Sequence, residues 1–189
     1  MKIVVVSGSS RKDSESLRVA KYLAAKLNTQ TDIISLEGNP VGLWSDEVYA
    51  DEGFLKLQKT MAAADAYVIV APEWGGMVPA TLKNFLLLMG VKDVGHKPAL
   101  IVGVSAGMNG AYPIAELKAF SNKNNFMVYI PETIVLKDVT NLFKGGEKEP
   151  QDLLERIDHS LESLELYAET FKTYREKRGE KAFSYLNGH

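Results

Sequence analysis

The chain of 189 residues is 46% hydrophobic and 24% charged, with a formal net charge of −2 and no cysteine. This composition is typical of a soluble globular protein and excludes disulfide frameworks, thiolate catalysis and cysteine-ligated metals. The near-neutral charge gives no basic surface for nucleic acid, and no apolar stretch approaches the roughly 20 residues of a membrane span. The amino terminus enters a strand at once, unlike a signal peptide. We therefore predict a single cytoplasmic domain over residues 1–189 that binds neither nucleic acid nor membranes.

The first residues predict a strand, a tight loop and the start of a helix. An apolar run over residues 3–6 indicates a strand buried on both faces, and the apolar stripe of an amphipathic helix begins at Leu17. Such a junction gathers unpaired backbone N–H groups at the positive end of the helix dipole, which favours phosphate binding. The alternative is an ordinary turn whose serines cap the helix. The loop's side-chain donors are Ser9, Ser10, Arg11, Ser14 and Ser16.

Further along the chain, short apolar runs alternate with amphipathic segments. Strands are predicted over 31–36, 66–71, 99–104 and 126–130, the last resuming at 133–136, and helices from 54, over 78–89, over 113–123 and in a long final segment after 150. The intervening segments 37–52 and 144–150 are predicted loops. Five strands alternating with helices indicate an open, doubly wound α/β sheet. Its strand order could be of the flavodoxin type, 2-1-3-4-5, or of the dinucleotide-binding type, and five strands in fewer than 200 residues favour the flavodoxin type. Ligands of such sheets bind beyond the carboxyl ends of strands 1 and 3.

The loop after the third strand carries an aromatic residue beside two glycines. Gly75 and Gly76 allow the backbone to approach a flat group closely, and Trp74 could lie against a ring system. The alternative is a tight turn in which Trp74 covers the core.

Two motifs together resemble the NADPH-dependent FMN reductase family, which includes quinone, azo and chromate reductases. They are Gly8-Ser9-x-Arg11-x-x-Ser14 and Pro72-Glu73-Trp74 followed by Leu82-Lys83-Asn84. The resemblance implies a flavodoxin-like fold, bound FMN, and electron transfer from NADPH or NADH to a quinone, an azo compound, a metal oxyanion or free flavin. The FMN site that it implies comprises Ser9, Arg11, Ser14 and Ser16 at the phosphate, Pro72, Glu73, Trp74, Gly75 and Gly76 along the isoalloxazine, and Ser105 and Gly107 at its other edge.

The chain departs from the family pattern at two places. Trp74-Gly75 stands where the family usually has Tyr-Asn, and the usual Asp-Trp after Lys83-Asn84 is absent. No residue is assigned as a catalytic acid, base or nucleophile, because the flavin supplies the redox chemistry. Glu73 is expected to have a structural role.

Two other functions compete with the reductase. Residues 103–107 match G-x-S-x-G, the nucleophile elbow of α/β-hydrolases, for which Asp152 or Asp158 with His159 would complete a triad. His159 falls within the long final helix, a poor place for a mobile catalytic histidine. A flavodoxin-type electron carrier is the second alternative, but such proteins are usually more acidic and lack the loop arginine. The three histidines have no metal-ligand spacing, so no metal site is predicted.

The helix over 78–89 is apolar nearly all round. One face is expected to lie on the sheet, while Leu87 and Leu88 extend the apolar surface beyond it. We predict that this helix forms the contact of a homodimer or homotetramer; cover from the long loop or the final helix is the alternative. The charged segment 174–181 is expected to be a solvated helix end.

Overall fold

In the computed structural model, which describes residues 1–144 and 149–184, a five-stranded sheet runs in the order β2-β1-β3-β4-β5 with all neighbouring strands parallel. The predicted flavodoxin-like architecture is therefore confirmed. The strands are β1 (Lys2–Ser7), β2 (Gln30–Ser35), β3 (Ala66–Pro72), β4 (Pro98–Val104) and β5 (Val128–Leu136), and the α-helices are α1 (Glu15–Lys26), α2 (Glu52–Ala62), α3 (Ala80–Leu88), α4 (Val91–Val94), α5 (Tyr112–Phe120) and α6 (Gln151–Arg178).

Alternate side chains of each strand enter two separate cores. In β1, Ile3 and Val5 face the core under α1 and α6, whereas Val4 and Val6 face the core under α2, α3, α4 and α5. This two-sided burial explains why the central strands are continuous apolar runs and carry no polar alternation. Because β1, β3 and β4 are adjacent and parallel, the loops that follow them lie together at the carboxyl edge of the sheet.

The main differences from the sequence prediction lie in β5, α3 and α4. The two predicted segments of β5 form one strand that includes Pro131, because a register shift opposite Ala99 and Ile101 absorbs the irregularity and β5 is at the sheet edge. Helix α3 begins at Ala80, with Pro79 as its N-cap, and the four-residue α4 was not predicted. Most of the predicted loop 144–150, at 145–148, lies outside the described residues.

One apolar face of the final helix packs into the core. Ile157, Leu161, Leu164 and Ala168 are buried against β4 and β5. The segment expected to be solvated is not free of contacts. Arg175 donates to the carbonyl oxygen of His96 at 2.9 Å and pairs with Asp65 at 3.5 Å, so the last turns of α6 are fixed to the body of the protein. Within the described residues, no helix is both long and apolar enough to cross a membrane.

Candidate functional site

The loop between β1 and α1, residues 8–14 and here called the first loop, is closely packed at its base. The N–H of Gly8 donates to the carbonyl oxygen of Val70 at 2.9 Å, which joins the ends of β1 and β3. A Cβ atom at position 8 would lie 2.6 Å from Leu82 Cδ2 and 2.8 Å from the Val70 oxygen. Glycine is therefore required here by close approach, and the loop is held directly over the switch point of the sheet.

Above this base, several hydrogen-bond donors of the first loop have no acceptor among the described residues, and one of them, Ser9, is itself buried. Ser14 caps α1, where its Oγ accepts from the N–H of Leu17 at 3.2 Å, and the Oγ of Ser9 accepts from the N–H of Arg11 at 3.2 Å. Both hydroxyls use a lone pair and keep their hydrogens for another acceptor. Among the described residues, no acceptor is found for the backbone N–H groups of Ser10, Ser14 or Glu15. This donor set suits a phosphate.

The remaining predicted residues of the first loop differ in exposure. Arg11 is exposed, whereas Ser16 is buried in the first turn of α1. The exposed guanidinium of Arg11 can supply positive charge from the open side of the loop, and no side-chain contact links it to Ser16. All four predicted phosphate residues thus lie within one strand–loop–helix junction.

The loop after β3, residues 73–79 and here called the third loop, is a tight hairpin. Trp74 and Met77 exchange backbone hydrogen bonds of 3.0 and 3.1 Å. The two residues between them, Gly75 and Gly76, have φ values of +59° and +77°, and a Cβ atom at Gly76 would meet nothing within 4 Å. Positive φ at both central positions favours glycine, so the Gly-Gly pair has a structural role in the turn. The tight turn of the alternative interpretation is thus present, and Trp74 is 36% exposed beside it.

Glu73 joins the third loop to the loop after β4, residues 105–111 and here called the fourth loop. Its carboxylate accepts from the N–H of Gly110 at 2.7 Å, and its own N–H donates to the Val104 carbonyl at 2.8 Å. These contacts give Glu73 the structural role expected of it. Pro72, the last residue of β3, is buried beneath the same junction.

The G-x-S-x-G sequence has a structural explanation in this fold. A Cβ atom at Gly103 would lie 1.9 Å from the carbonyl oxygen of Gly110, so the fourth loop folds back directly onto β4. The Oγ of Ser105 accepts from the N–H of Gly107 at 3.1 Å, and Asp158 pairs with Lys26 at 2.6 Å. No hydrogen bond joins Ser105 to Asp152, Asp158 or His159, so the described residues contain no hydrolase triad around this serine.

The loop after β2, residues 36–51 and here called the second loop, was predicted to be long but not to contact α3. Asn84 holds it at two points: Oδ1 accepts from the N–H of Trp44 at 2.9 Å, and Nδ2 donates to the Gly42 carbonyl at 2.8 Å. Thr81 bonds the side chain of Asn39, and the N–H of Gly38 donates to the Ser10 carbonyl at 3.0 Å. In the sequence, the length of this segment and its lack of periodicity were the one indication that it forms an ordered loop.

Helices α3 and α5 border a groove of about 820 Å³, here called the α3–α5 groove. Leu88 is buried in the core, but Leu87 is 64% exposed and lines the groove with Phe120. Lys83 and Glu116 form an ion pair of 2.5 Å between the two helices. This contact, with the N–H of Val78, holds the pKa of Glu116 below its usual range.

Together, a parallel sheet of order 2-1-3-4-5 and a donor-rich loop at its switch point give the arrangement that flavodoxin-like folds use to bind a nucleotide. No group of three or more histidine, aspartate or glutamate side chains in the described residues could hold a metal ion.

Comparison with known proteins gives the family. The model of the NADPH-dependent FMN reductase family matches residues 1–140, and the chain belongs to this family. An NADPH azoreductase of Bacillus sp. (strain OY1-2) is 26% identical over 95% of this chain and 99% of its own length. A 2-hydroxy-1,4-benzoquinone reductase of Burkholderia sp. is 35% identical over 58% of this chain and 63% of its own. The flavoenzyme FerB of Paracoccus denitrificans, an NAD(P)H:(acceptor) oxidoreductase, has the same fold, with a TM-score of 0.71 over 90% of this chain and 98% of FerB at 21% identity.

Proposed function

We propose that this protein is an FMN-dependent NAD(P)H oxidoreductase that reduces quinones or azo compounds. Membership of the NADPH-dependent FMN reductase family supports the reaction class, and the printed names of the relatives, azoreductase and benzoquinone reductase, support the acceptor class. The observation that carries the proposal is the first loop, where unpaired N–H and hydroxyl donors surround the position expected for a phosphate. Metal oxyanions and free flavin remain further acceptors to test. A cytoplasmic location, where NAD(P)H is available, belongs to the same proposal.

The proposed phosphate site is formed by the start of α1. Ser14 and Ser9 would donate their hydroxyl hydrogens, and Arg11 would supply the positive charge that a phosphate dianion requires. The free N–H groups at the helix start add the favourable end of the helix dipole. Ser16, buried in the first turn, would complete the site from below.

The proposed ring site lies between the third and fourth loops. Trp74, Gly75 and Gly76 would lie along the isoalloxazine after Pro72 and Glu73, with Ser105 and Gly107 at the opposite edge. FMN held there would supply the redox chemistry, both hydride uptake from the nicotinamide and electron transfer to the acceptor. The chain's own contribution is to bind and orient. Glu73 is given a structural role here, because one oxygen of its carboxylate accepts from the N–H of Gly110 and so joins the third loop to the fourth.

A direct assay tests this function. The purified protein, supplied with FMN, should oxidise NADPH steadily in the presence of menadione and without any partner reductase. Steady turnover distinguishes an enzyme from an electron carrier, which would need a separate reductase. An absence of NADPH oxidation with quinone, azo and flavin acceptors alike would contradict the proposal.

We also propose that the protein forms a homodimer or homotetramer through α3. Leu87 and Phe120 expose large apolar surfaces, at 64% and 83%, on the two walls of the α3–α5 groove. A groove whose walls carry projecting apolar side chains suits a two-fold contact, in which each copy offers the same surface to the other.

A further inference from the structure

Two large apolar side chains of the second loop are held in the solvent by a fixed backbone. Leu43 is 80% exposed and Trp44 is 55% exposed. The backbone on either side of Leu43 is nevertheless fixed, since Asn84 receives a hydrogen bond from the N–H of Trp44 and donates one to the Gly42 carbonyl. Leu43 and Trp44 thus present adjacent apolar side chains on a backbone that hydrogen bonds hold in place, a combination that suits a binding surface.

The attachment points of this segment locate it in the fold. At one end, the N–H of Gly38 donates to the carbonyl oxygen of Ser10 in the first loop. At the other end, Thr81 and Asn84 belong to α3, which begins three residues after Met77 of the third-loop hairpin. The first and third loops are also the two ends of the proposed FMN site. Residues 38–44 therefore run from the first loop to α3, the helix that directly follows the third loop.

We propose that residues 42–44 form a wall of the acceptor site and that Trp44 binds the planar ring of the quinone or azo acceptor. Asn84 is then a positioning residue, which acts on the acceptor through the backbone of Trp44. This inference rests on the proposed function and adds to it the residues that select aromatic acceptors. A rigid indole provides a large stacking surface with little loss of conformational freedom on binding.

The side chain of Trp44 is not needed to hold the second loop in place. Asn84 holds backbone atoms of Gly42 and Trp44, so the loop would keep its hydrogen bonds with any side chain at residue 44. Trp44 also lies outside the two buried cores. The indole is therefore not needed to hold the loop, whereas an acceptor site would use it directly.

Steady-state kinetics of the FMN-loaded enzyme test the proposal. Trp44→Ala should raise the KM for menadione roughly tenfold, as expected from loss of an aromatic stacking contact, and change the KM for NADPH much less. Trp44→Phe should restore most of the menadione affinity. Asn84→Ala should raise the same KM, and Asn84→Asp, which keeps an acceptor for the Trp44 N–H, should restore part of it. Leu166→Ala is the matched control, because Leu166 is 60% exposed on α6 at the other face of the sheet.

A binding measurement on the cofactor-free protein gives a second readout. The chain contains two tryptophans, so Trp74→Phe leaves Trp44 as the remaining indole emitter. Menadione should quench this emission saturably, and Asn84→Ala in the same background should weaken the quenching. Quenching that rises linearly, as for free tryptophan in solution, would overturn the inference.

Measurements on the wild-type enzyme distinguish a failure of the proposed function from a failure of the role assigned to Trp44. If the wild-type protein binds no FMN and oxidises no NADPH, the proposed function is wrong and the inference falls with it. If the wild-type enzyme turns over while Trp44→Ala and Leu166→Ala have the same KM for menadione, the inference alone is overturned.

Discussion

The carboxylate of Glu73 accepts a hydrogen bond of 2.7 Å from the backbone N–H of Gly110, and this contact ties the third loop to the fourth. Gly110 has a φ of +112°, and its carbonyl oxygen approaches Gly103 so closely that a Cβ atom there would lie 1.9 Å away. The fourth loop is thus folded back onto β4, and Glu73 fixes the distance between the two loops of the proposed ring site.

The first prediction follows from this contact. Glu73→Ala removes the acceptor and leaves the Gly110 N–H unpaired, so the two loops should separate and FMN should bind roughly tenfold more weakly. Glu73→Gln keeps a carbonyl oxygen and should recover most of the affinity. Fluorescence titration of the cofactor-free protein with FMN measures both. Equal affinities for wild type and Glu73→Ala would mean that the contact does not shape the flavin site.

The second prediction concerns the buried amine of Lys97. Its Nζ donates to the carbonyl oxygens of Ala62 at 2.6 Å and Asp93 at 2.7 Å, at the ends of α2 and α4. Burial, followed by the charge of Arg175, lowers the pKa of Lys97 from 10.5 to about 8. Between these values the unfolded chain holds more protons than the folded one, so the free energy of unfolding should rise with pH. This contribution is complete above about 10.5 and is lost as the pH falls through about 8.

Urea denaturation at pH 7.5 and 9.5 measures the effect against Lys97→Met, which has no titrating amine. The stability of the wild type relative to Lys97→Met should increase by about 1 to 2 kcal/mol over this interval. Subtracting the unfolding free energy of Lys97→Met from that of the wild type at each pH removes the contribution of the other titrating groups. A difference that stays constant with pH would show that Lys97 keeps an ordinary pKa in the folded protein.

The third prediction tests the proposed subunit contact. Leu87→Glu places a charge in the α3–α5 groove and should convert the oligomer to a monomer, because a carboxylate is costly to bury in an apolar interface. Leu87 is 64% exposed in the single chain, so the monomer should fold normally. Leu166→Glu, at a similarly exposed position of α6, is the control and should leave the oligomer intact. Sedimentation equilibrium distinguishes the species, and identical masses for both variants would argue against α3 as the contact.

Much of the fold could be predicted from the sequence because the signals are local. An apolar run such as residues 66–71 must be buried on both faces, and only a sheet covered by helices provides this. The strand order followed from the number of strands and the chain length. Because of Pro131, β5 was predicted as two segments. The strand continues through this proline only with a register shift against β4, which no local sequence pattern encodes.

The site was predictable in part for the same reason. The first and third loops are contiguous motifs, so their residues appear together in the sequence and in the structure. Contacts between distant residues were not predictable: Asn84 and Trp44 are 40 positions apart, and Arg175 and His96 are 79 apart. Such side-chain to backbone hydrogen bonds leave no periodicity, and any exposed polar residue could have made them.

The proposed phosphate site in the first loop is tested most directly by titrating the cofactor-free protein with FMN and, separately, with riboflavin. FMN should bind more tightly than riboflavin by roughly ten- to a hundredfold, the value of charge-assisted hydrogen bonds to the phosphate. Arg11→Ala should remove much of that difference, and Lys12→Ala, at the exposed neighbouring residue, should retain it. Equal affinities for FMN and riboflavin in the wild-type protein, or equal effects of the two substitutions, would contradict the account.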